Sequence, residues 1–357
     1  MNLRIPGPTP CPKEVLEAMN RQMINHRGDE FKEILLSTTE RVKKVFQTKN
    51  DLFILTGSGT GGLEAAIVNF FSPGDKIISA TVGYFGDRFA TIAKNYGGEV
   101  RIVPNAISGY DVDPELFEYT LRMNRDAKGV LITHNETSTG VVNNLKVLAE
   151  IAKRYGVLVV VDAVSSMSAV SIPTDAWGLD VVVSASQKGW MAPPGLYMIS
   201  VSEKAWELHK TAKMPRYYFD LGLAKQHFAK GYTLATQAIP VFFALDCALE
   251  MMLKEGLDNV FYRHARMAAY FRDKISFIGW EFFAQQNCRS NTITALKVPK
   301  GVDGKEFIRN LKDQYQVEVS GGIDDLEGKI LRVAHMGFVS YQDLNETIEA
   351  LRNIGKP

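Results

Sequence analysis

The chain has 357 residues, 46% hydrophobic and 23% charged, which is typical of a globular protein with one large domain or two ordinary ones. Its 41 basic and 40 acidic residues leave a formal charge of +1, so no basic field is available to attract nucleic acid or an anionic membrane. Three cysteines, Cys11, Cys247 and Cys288, lie far apart and indicate a reducing compartment without a disulfide framework. The N-terminus lacks a signal pattern, and the apolar runs are too short to cross a bilayer. We therefore expect a soluble, cytoplasmic protein.

The first dozen residues contain four prolines, which predict an extended arm over residues 1–15. Helical spacing follows at 12–23 and 30–46. Short apolar runs then alternate with amphipathic segments, a pattern that predicts an open, mainly parallel α/β sheet. The predicted strands are 52–55, 76–80, 100–103, 130–133, 157–161, 180–185 and 196–201, and the helices between them are 61–71, 85–96, 114–123 and 145–155.

The pattern changes after two long predicted helices, 236–254 and 256–277. Strands at 292–298, 317–319 and 331–334 then mix with helices at 305–314 and 341–353, which indicates a compact α+β unit. We expect a large domain over 16–255 and a small C-terminal domain over 256–357.

A glycine-rich turn, residues 56–62, follows the first strand and opens a helix. Glycines allow close backbone approach, and the helix N-terminus offers free N–H groups, so a phosphate is the expected guest. A tight turn without a ligand is the alternative. The turn also matches G-x-G-x-x-G, but no acidic residue ends the next strand where a dinucleotide ribose would need one.

Two charged residues end later strands of the same sheet. Asp162 follows a run of valines and leucine, and a buried carboxylate there requires a cation or donor as a partner. Lys188 follows the next strand among small residues that leave room for a ring, although a capping aspartate and a surface lysine are the ordinary alternatives. An anion turn, a strand-end aspartate and a strand-end lysine together favour pyridoxal 5′-phosphate held as a Schiff base on Lys188.

At this point the sequence resembles the fold-type I pyridoxal phosphate enzymes, and within them the class V aminotransferases of the alanine–glyoxylate and serine–pyruvate (serine–glyoxylate) group. The likeness covers nearly the whole chain. It rests on residues 6–9, 26–31, 57–60, 63–66, 83–88, 134–140, 161–166, 186–189 and 331–337.

The resemblance implies a role for each matching position. Lys188 would form the Schiff base and move the proton, and Asp162 would pair with the cofactor's ring nitrogen. Phe85 and Val164 would pack against the two faces of the cofactor ring. Thr137 would form a hydrogen bond with the ring hydroxyl of the cofactor or with its surroundings. The phosphate would be held by Ser58, Gly59, Thr60 and Gln187.

The resemblance also implies a homodimer with shared sites. A segment of the partner would reach the phosphate through Thr236 or, in another alignment, Thr233, because this chain lacks a proline that relatives often have there. Arg332 would grip the substrate carboxylate by a two-point contact, and Gly7 in the arm would line the substrate pocket.

His134 and His335 could act as acids or bases beside the cofactor, but packing is the commoner role of such histidines. No set of His, Asp and Glu has metal-ligand spacing, so we expect no metal. The expected reaction moves an amino group from alanine or serine to glyoxylate or pyruvate by a ping-pong mechanism. The alternatives are a phosphonate or ureido aminotransferase, a cysteine desulfurase or lyase, a non-catalytic cofactor-binding protein, and a nicotinamide dehydrogenase.

Overall fold

Alternating apolar strands and amphipathic helices organise the chain, as a computed structural model of residues 1–104 and 107–354 shows. Its strands are β1 (Asn2–Leu3), β2 (Asp51–Thr56), β3 (Lys76–Ala80), β4 (Glu99–Ile102), β5 (Gly129–Thr133), β6 (Asn135–Glu136), β7 (Val141–Val142), β8 (Leu158–Asp162), β9 (Val181–Ala185), β10 (Leu196–Val201), β11 (Ile293–Lys297), β12 (Val317–Glu318), β13 (Ser320–Gly321) and β14 (Ile330–Ala334). Its helices are α1 (Lys13–Ala18), α2 (Asp29–Phe46), α3 (Gly59–Phe70), α4 (Tyr84–Asn95), α5 (Pro114–Met123), α6 (Leu145–Arg154), α7 (Thr174–Trp177), α8 (Glu203–His209), α9 (Leu221–Phe228), α10 (Ile239–Glu255), α11 (Leu257–Phe277), α12 (Gly304–Tyr315) and α13 (Tyr341–Ile354).

The central sheet has seven strands in the order β2-β10-β9-β8-β5-β3-β4. β10 runs antiparallel to both of its neighbours, and the pairs from β9 to β4 are parallel. Every residue of β5, β8 and β9 is buried, because helices cover both faces of a parallel sheet. The predicted α/β fold with a mainly parallel sheet is confirmed.

Alternate residues of the same strand enter different cores. Val159 and Val161 of β8 belong to one buried cluster, and Val160 between them belongs to another on the opposite face. Full burial of each such side chain contributes about 1.5–3 kcal/mol, which makes this three-layer arrangement the main stabilising feature of the sheet.

The C-terminal part forms a second sheet, β11-β14-β13, which is antiparallel. Its own apolar cluster includes Trp280, Phe307 and Leu331. The division of the chain at residue 256 stays a prediction, and the last three residues of the predicted small domain, 355–357, lie outside the described residues.

The N-terminal arm packs on the C-terminal part of its own chain. β1 pairs with β12, the N–H of Arg4 donates to the Glu318 carbonyl at 2.8 Å, and the N–H of Ala334 donates to the Arg4 carbonyl at 2.8 Å. The arm then reaches the central sheet, where the Thr9 N–H donates to the Gln187 carbonyl at 3.0 Å. The prediction that the arm also packs across a homodimer stays a prediction.

The sequence prediction differs from the structure at three helices: one was predicted too long, and two were not predicted. The helix expected over 12–23 ends at Ala18, since Asn20 favours a turn over a continued helix. Helices α8 and α9 were missed, although an N-cap side chain begins each of them, Ser202 in α8 and Asp220 in α9.

None of the helices in residues 1–104 and 107–354 combines the length and hydrophobicity needed to span a bilayer.

Candidate active site

Parallel strands bring the predicted site residues to one edge of the sheet. Thr133 at the end of β5 pairs in register with Asp162 at the end of β8, and Asp162 pairs with Val183 of β9. The segments that follow β5 and β9 therefore leave the sheet beside Asp162. This edge is where open α/β sheets bind ligands.

A cavity of about 260 Å³ opens at this edge. Ten predicted site residues line it together: Gly7, Ser58, Gly59, Thr60, Phe85, Thr137, Asp162, Val164, Gln187 and Lys188. Three further lining residues, Arg88, Asn135 and Ser165, were assigned no role from the sequence, although all three lie in or beside the motifs that carried the resemblance.

Lys188 is held beside the N-terminal arm. Its Nζ donates a hydrogen bond to the Pro6 carbonyl at 2.6 Å, and its own carbonyl accepts from the Thr9 hydroxyl at 2.8 Å. Burial lowers the pKa of Lys188 to about 8; Asp162 opposes this shift, and the nearby cations Arg332 and Arg88 add to it. A lysine in this state has a substantial neutral fraction near neutral pH and can act as a nucleophile or base.

Asp162 is 6% exposed, and its Oδ1 accepts a hydrogen bond from the Val164 N–H at 2.9 Å. Burial raises the pKa of Asp162, while the Val164 N–H and the charges of Arg88 and Lys188 oppose that shift. A cation bound in the cavity would favour the carboxylate form further.

The N-terminus of α3 forms another wall of the cavity. Ser58 caps this helix, with its Oγ accepting from the Gly61 N–H at 3.3 Å, and Gly59 and Thr60 begin the first turn. The positive end of a twelve-residue helix therefore faces the cavity, which Gln187 also lines, and among the residues that the structure describes none hydrogen-bonds to the buried Oε1 of Gln187. This corner can accommodate an anionic group that also needs polar neighbours.

Phe85 lies on the first turn of α4, and Arg88 begins the second. The Arg88 guanidinium lies 4.7 Å from the centre of the Phe85 ring, and its buried Nε has no hydrogen-bond partner within residues 1–104 and 107–354. The aromatic ring offers a flat wall against which a cofactor ring can stack.

Arg332 on β14 lies next to the cavity without lining it. Its Nε donates to the Gly321 carbonyl at 2.6 Å and its Nη1 to the Thr137 carbonyl at 3.0 Å. Burial lowers the pKa of Arg332 to about 10, and the negative charge of Glu136 opposes this shift. Its position beside Thr137 suits a cation that binds a carboxylate entering the cavity.

Two predicted residues, Thr233 and Thr236, do not line the cavity of their own chain. The Thr233 hydroxyl donates to the Ala235 carbonyl at 2.7 Å, and the Thr236 hydroxyl lies 3.5 Å from His26 Nε2. Their assignment to the phosphate of a partner subunit stays a prediction.

The two candidate histidines are also outside the cavity lining. His134 is buried, and its Nδ1 lies 2.9 Å from the Ser166 hydroxyl. His335 is buried with its Nε2 2.9 Å from the Thr294 hydroxyl. Burial lowers the pKa of His134 to about 4 and that of His335 to about 3, so both rings are neutral packing residues at neutral pH.

The cysteines do not contribute to the cavity. Cys288 is 1% exposed and lies in a short 3₁₀ turn, where burial raises its pKa. A buried thiol of this kind is not the mobile thiolate that a desulfurase requires. In the part of the chain that the structure describes, His, Cys, Asp and Glu side chains form no group of three or more that could hold a metal ion.

Comparison with known proteins gives the family. The family model for class V aminotransferases matches residues 1–334. A "soluble hydrogenase, small subunit" of Synechococcus sp. (strain PCC 6716) is 42% identical over 99% of this chain and 92% of its own. The L-aspartate–glyoxylate aminotransferase of Paracoccus denitrificans is 35% identical over 93% of this chain and 85% of its own.

A solved structure, alanine–glyoxylate aminotransferase from Nostoc sp., superposes with a TM-score of 0.94 at 32% identity and covers 99% of this chain and 94% of that one. The family match, the near-complete overlap with these relatives and the cavity built around Lys188 and Asp162 agree. The chain therefore belongs to the class V aminotransferase family.

Proposed function

We propose that this enzyme uses pyridoxal 5′-phosphate to move an amino group from a small amino acid, alanine or serine, to a small 2-oxo acid, glyoxylate or pyruvate. One observation carries the proposal: Lys188, Asp162 and the N-terminus of α3 line the same cavity. Each supplies a different part of what the cofactor requires.

The residues present fit the cofactor. The α3 N-terminus matches a phosphate, since the helix end favours negative charge, and Gln187, which lines the same cavity, has an amide N–H that can donate to it. Asp162 matches a protonated ring nitrogen, because burial raises its pKa and a cation would compensate its charge. Phe85 and Val164 both line the cavity and can pack on a flat ring.

Pyridoxal phosphate, when bound, supplies an electron-withdrawing ring that stabilises negative charge at the α-carbon of an amino acid. Lys188 supplies the amine that holds the cofactor and, once released, the base that removes and returns a proton. Its pKa of about 8 suits a base that works near neutral pH. Arg332 binds the substrate carboxylate and fixes the α-carbon in reach of Lys188.

The substrate assignment rests on relatives and on the cavity. Two relatives named for aminotransfer share glyoxylate as acceptor and differ in donor, alanine in one and aspartate in the other. The cavity of about 260 Å³ must hold the cofactor as well, which favours small substrates. A panel of alanine, serine, aspartate, ureidoglycine and a phosphonate donor with glyoxylate or pyruvate separates these substrates from the other reactions of the family.

We also propose a cytoplasmic homodimer with shared sites. The three free cysteines suit a reducing compartment. Thr236 does not line its own cavity, which agrees with the role that the family resemblance assigns it in a partner subunit.

The test is spectroscopic. Purified protein should absorb visible light, and the spectrum should change when an amino donor is added without an acceptor. Lys188→Ala should abolish turnover, whereas Lys210→Ala, on the surface and paired with Glu207 at 2.7 Å, should not. Full activity of Lys188→Ala would refute the assignment.

The hydrogenase name of the 42% identical relative suggests a second assay. Hydrogen-dependent reduction of a viologen dye by the same preparation, without half-transamination by any donor, would favour that function over aminotransfer.

A further inference from the structure

Glu136 is a fully buried carboxylate beside the cavity, 0% exposed, and the predicted roles leave it unused. It lies on β6, one residue before Thr137. An acidic side chain is rarely buried so completely unless specific donors or cations compensate its charge.

Four donors surround this carboxylate. Oε2 accepts from the backbone N–H groups of Phe85 at 3.0 Å and Gly86 at 2.9 Å. Oε1 accepts from the N–H of Ser138 at 2.9 Å and from its hydroxyl at 2.6 Å. Three backbone N–H groups and one hydroxyl thus compensate the negative charge of the carboxylate, whereas burial raises the pKa of Glu136.

Two of these donors belong to the first turn of α4, whose own N-cap, Gly83, has no side chain to offer. The third N–H of that turn, from Tyr84, donates to the Ser138 hydroxyl at 3.0 Å. Glu136 and Ser138 together therefore satisfy the three free N–H groups at the start of α4. The positive end of the helix stabilises the carboxylate in return.

The Glu136 side chain lies so close to the backbone at position 83 that only glycine fits there. A Cβ added to Gly83 would lie 2.8 Å from Glu136 Cγ, a contact that real Cβ atoms do not make. The loop after β5 and the start of α4 are thus in direct contact at this point, and movement of one displaces the other.

The same loop holds the substrate-binding arginine. Arg332 Nη1 donates to the carbonyl of Thr137, and the negative charge of Glu136 favours the charged form of the guanidinium. Glu136 therefore contacts the helix that carries Phe85, and it directly precedes Thr137, whose carbonyl accepts the hydrogen bond from Arg332.

We propose that Glu136 is a positioning residue that fixes the stacking ring of Phe85 and the carboxylate-binding Arg332 relative to each other. This inference rests on the proposed function, since Phe85 and Arg332 receive their roles from it. Glu136 contacts neither cofactor nor substrate in this scheme and acts through its two neighbours.

The test is Glu136→Gln in the full-length protein, which keeps the shape of the side chain and removes its charge. One amide NH₂ must then face N–H donors, so α4 loses part of its cap. The expected result is a rise of about tenfold in the dissociation constant for pyridoxal phosphate and in KM for the amino donor at saturating cofactor. The visible circular dichroism of the bound cofactor should change as well.

Asp180→Asn is the matched control. Asp180 is also a buried carboxylate, 7% exposed, and accepts from the Val159 N–H and the Ser202 hydroxyl, each at 2.9 Å. It precedes β9, at the edge of the sheet opposite the cavity. This variant should lower the melting temperature and leave cofactor affinity, KM and the dichroism unchanged.

If Glu136→Gln lowers the melting temperature like the control but leaves cofactor affinity, KM and dichroism at wild-type values, the proposal is wrong. Should Glu136→Gln not fold, Ser138→Ala replaces it, and unchanged values of all three quantities in that variant refute the proposal too. Wild-type protein that neither absorbs visible light nor responds to an amino donor would overturn the proposed function instead, so the two failures are distinguishable.

Discussion

We predict that Gly7 allows the N-terminal arm to hold Lys188 in position. Its φ is +142°, and a Cβ placed on it would lie 2.6 Å from Lys188 Nζ and 2.8 Å from Lys188 Cδ. In Gly7→Ala either the arm or Lys188 must move. The hydrogen bond from Lys188 to the Pro6 carbonyl is lost with that movement.

The magnitude follows from two costs. A residue other than glycine in this region of φ costs about 1–3 kcal/mol in stability. Displacing the reacting group by about 1 Å reduces catalysis by up to about a hundredfold. We therefore expect kcat/KM of Gly7→Ala to fall roughly 10- to 100-fold, a range that corresponds to about 1.4–2.7 kcal/mol.

The control variant Gly156→Ala distinguishes the effect of backbone strain from the effect of the contact with Lys188. Gly156 also has a positive φ, +71°, but a Cβ there meets nothing within 4 Å. This control should lose about 1 kcal/mol of stability and keep wild-type kinetics. The measurements are steady-state kinetics with saturating cofactor and thermal unfolding of both variants. If Gly7→Ala retains kcat/KM within about twofold of Gly156→Ala, the arm adjusts freely and does not position Lys188.

Four further predictions concern residues of the proposed site. Arg332→Ala should raise KM for amino donors at least about tenfold through loss of a two-point charged contact, and an unchanged KM would assign carboxylate binding to another group. Asp162→Asn should retain the cofactor's colour but lose more than about a hundredfold in kcat, because an amide cannot stabilise a cationic ring nitrogen; equal kcat in stopped-flow assays would contradict this. The uptake of pyridoxal phosphate by apoenzyme should accelerate as pH rises through about 8, the pKa of Lys188, since only the neutral amine reacts, and a rate still rising towards pH 10 would indicate an unperturbed lysine. Mixed dimers of inactive Lys188→Ala and Thr236→Glu subunits should regain about a quarter of wild-type activity after equal mixing, and no recovery would argue against a shared site.

The order and type of most helices and strands could be predicted from the local sequence pattern. Valine-rich runs such as β8 and β9 are typical of buried parallel strands, so the sequence predicted that Asp162 ends one strand of a sheet and that Lys188 follows another. The pairing of these two strands as neighbours came from the tertiary structure. The glycine-rich turn before α3 could be predicted as an anion site in the same way, since a helix start with free N–H groups is a local property of the sequence. Ten of the predicted residues therefore meet in one cavity.

Contacts between distant segments required the tertiary structure. Nothing in the local pattern around Glu136 shows that its carboxylate caps α4, because its partners Phe85 and Gly86 are about 50 residues away in the chain. The link between Pro6 and Lys188 spans 182 positions. Periodicity and turn propensities describe neighbours along the chain, whereas these hydrogen bonds join β6 to α4 and the N-terminal arm to the segment after β9, which meet only in the packed structure.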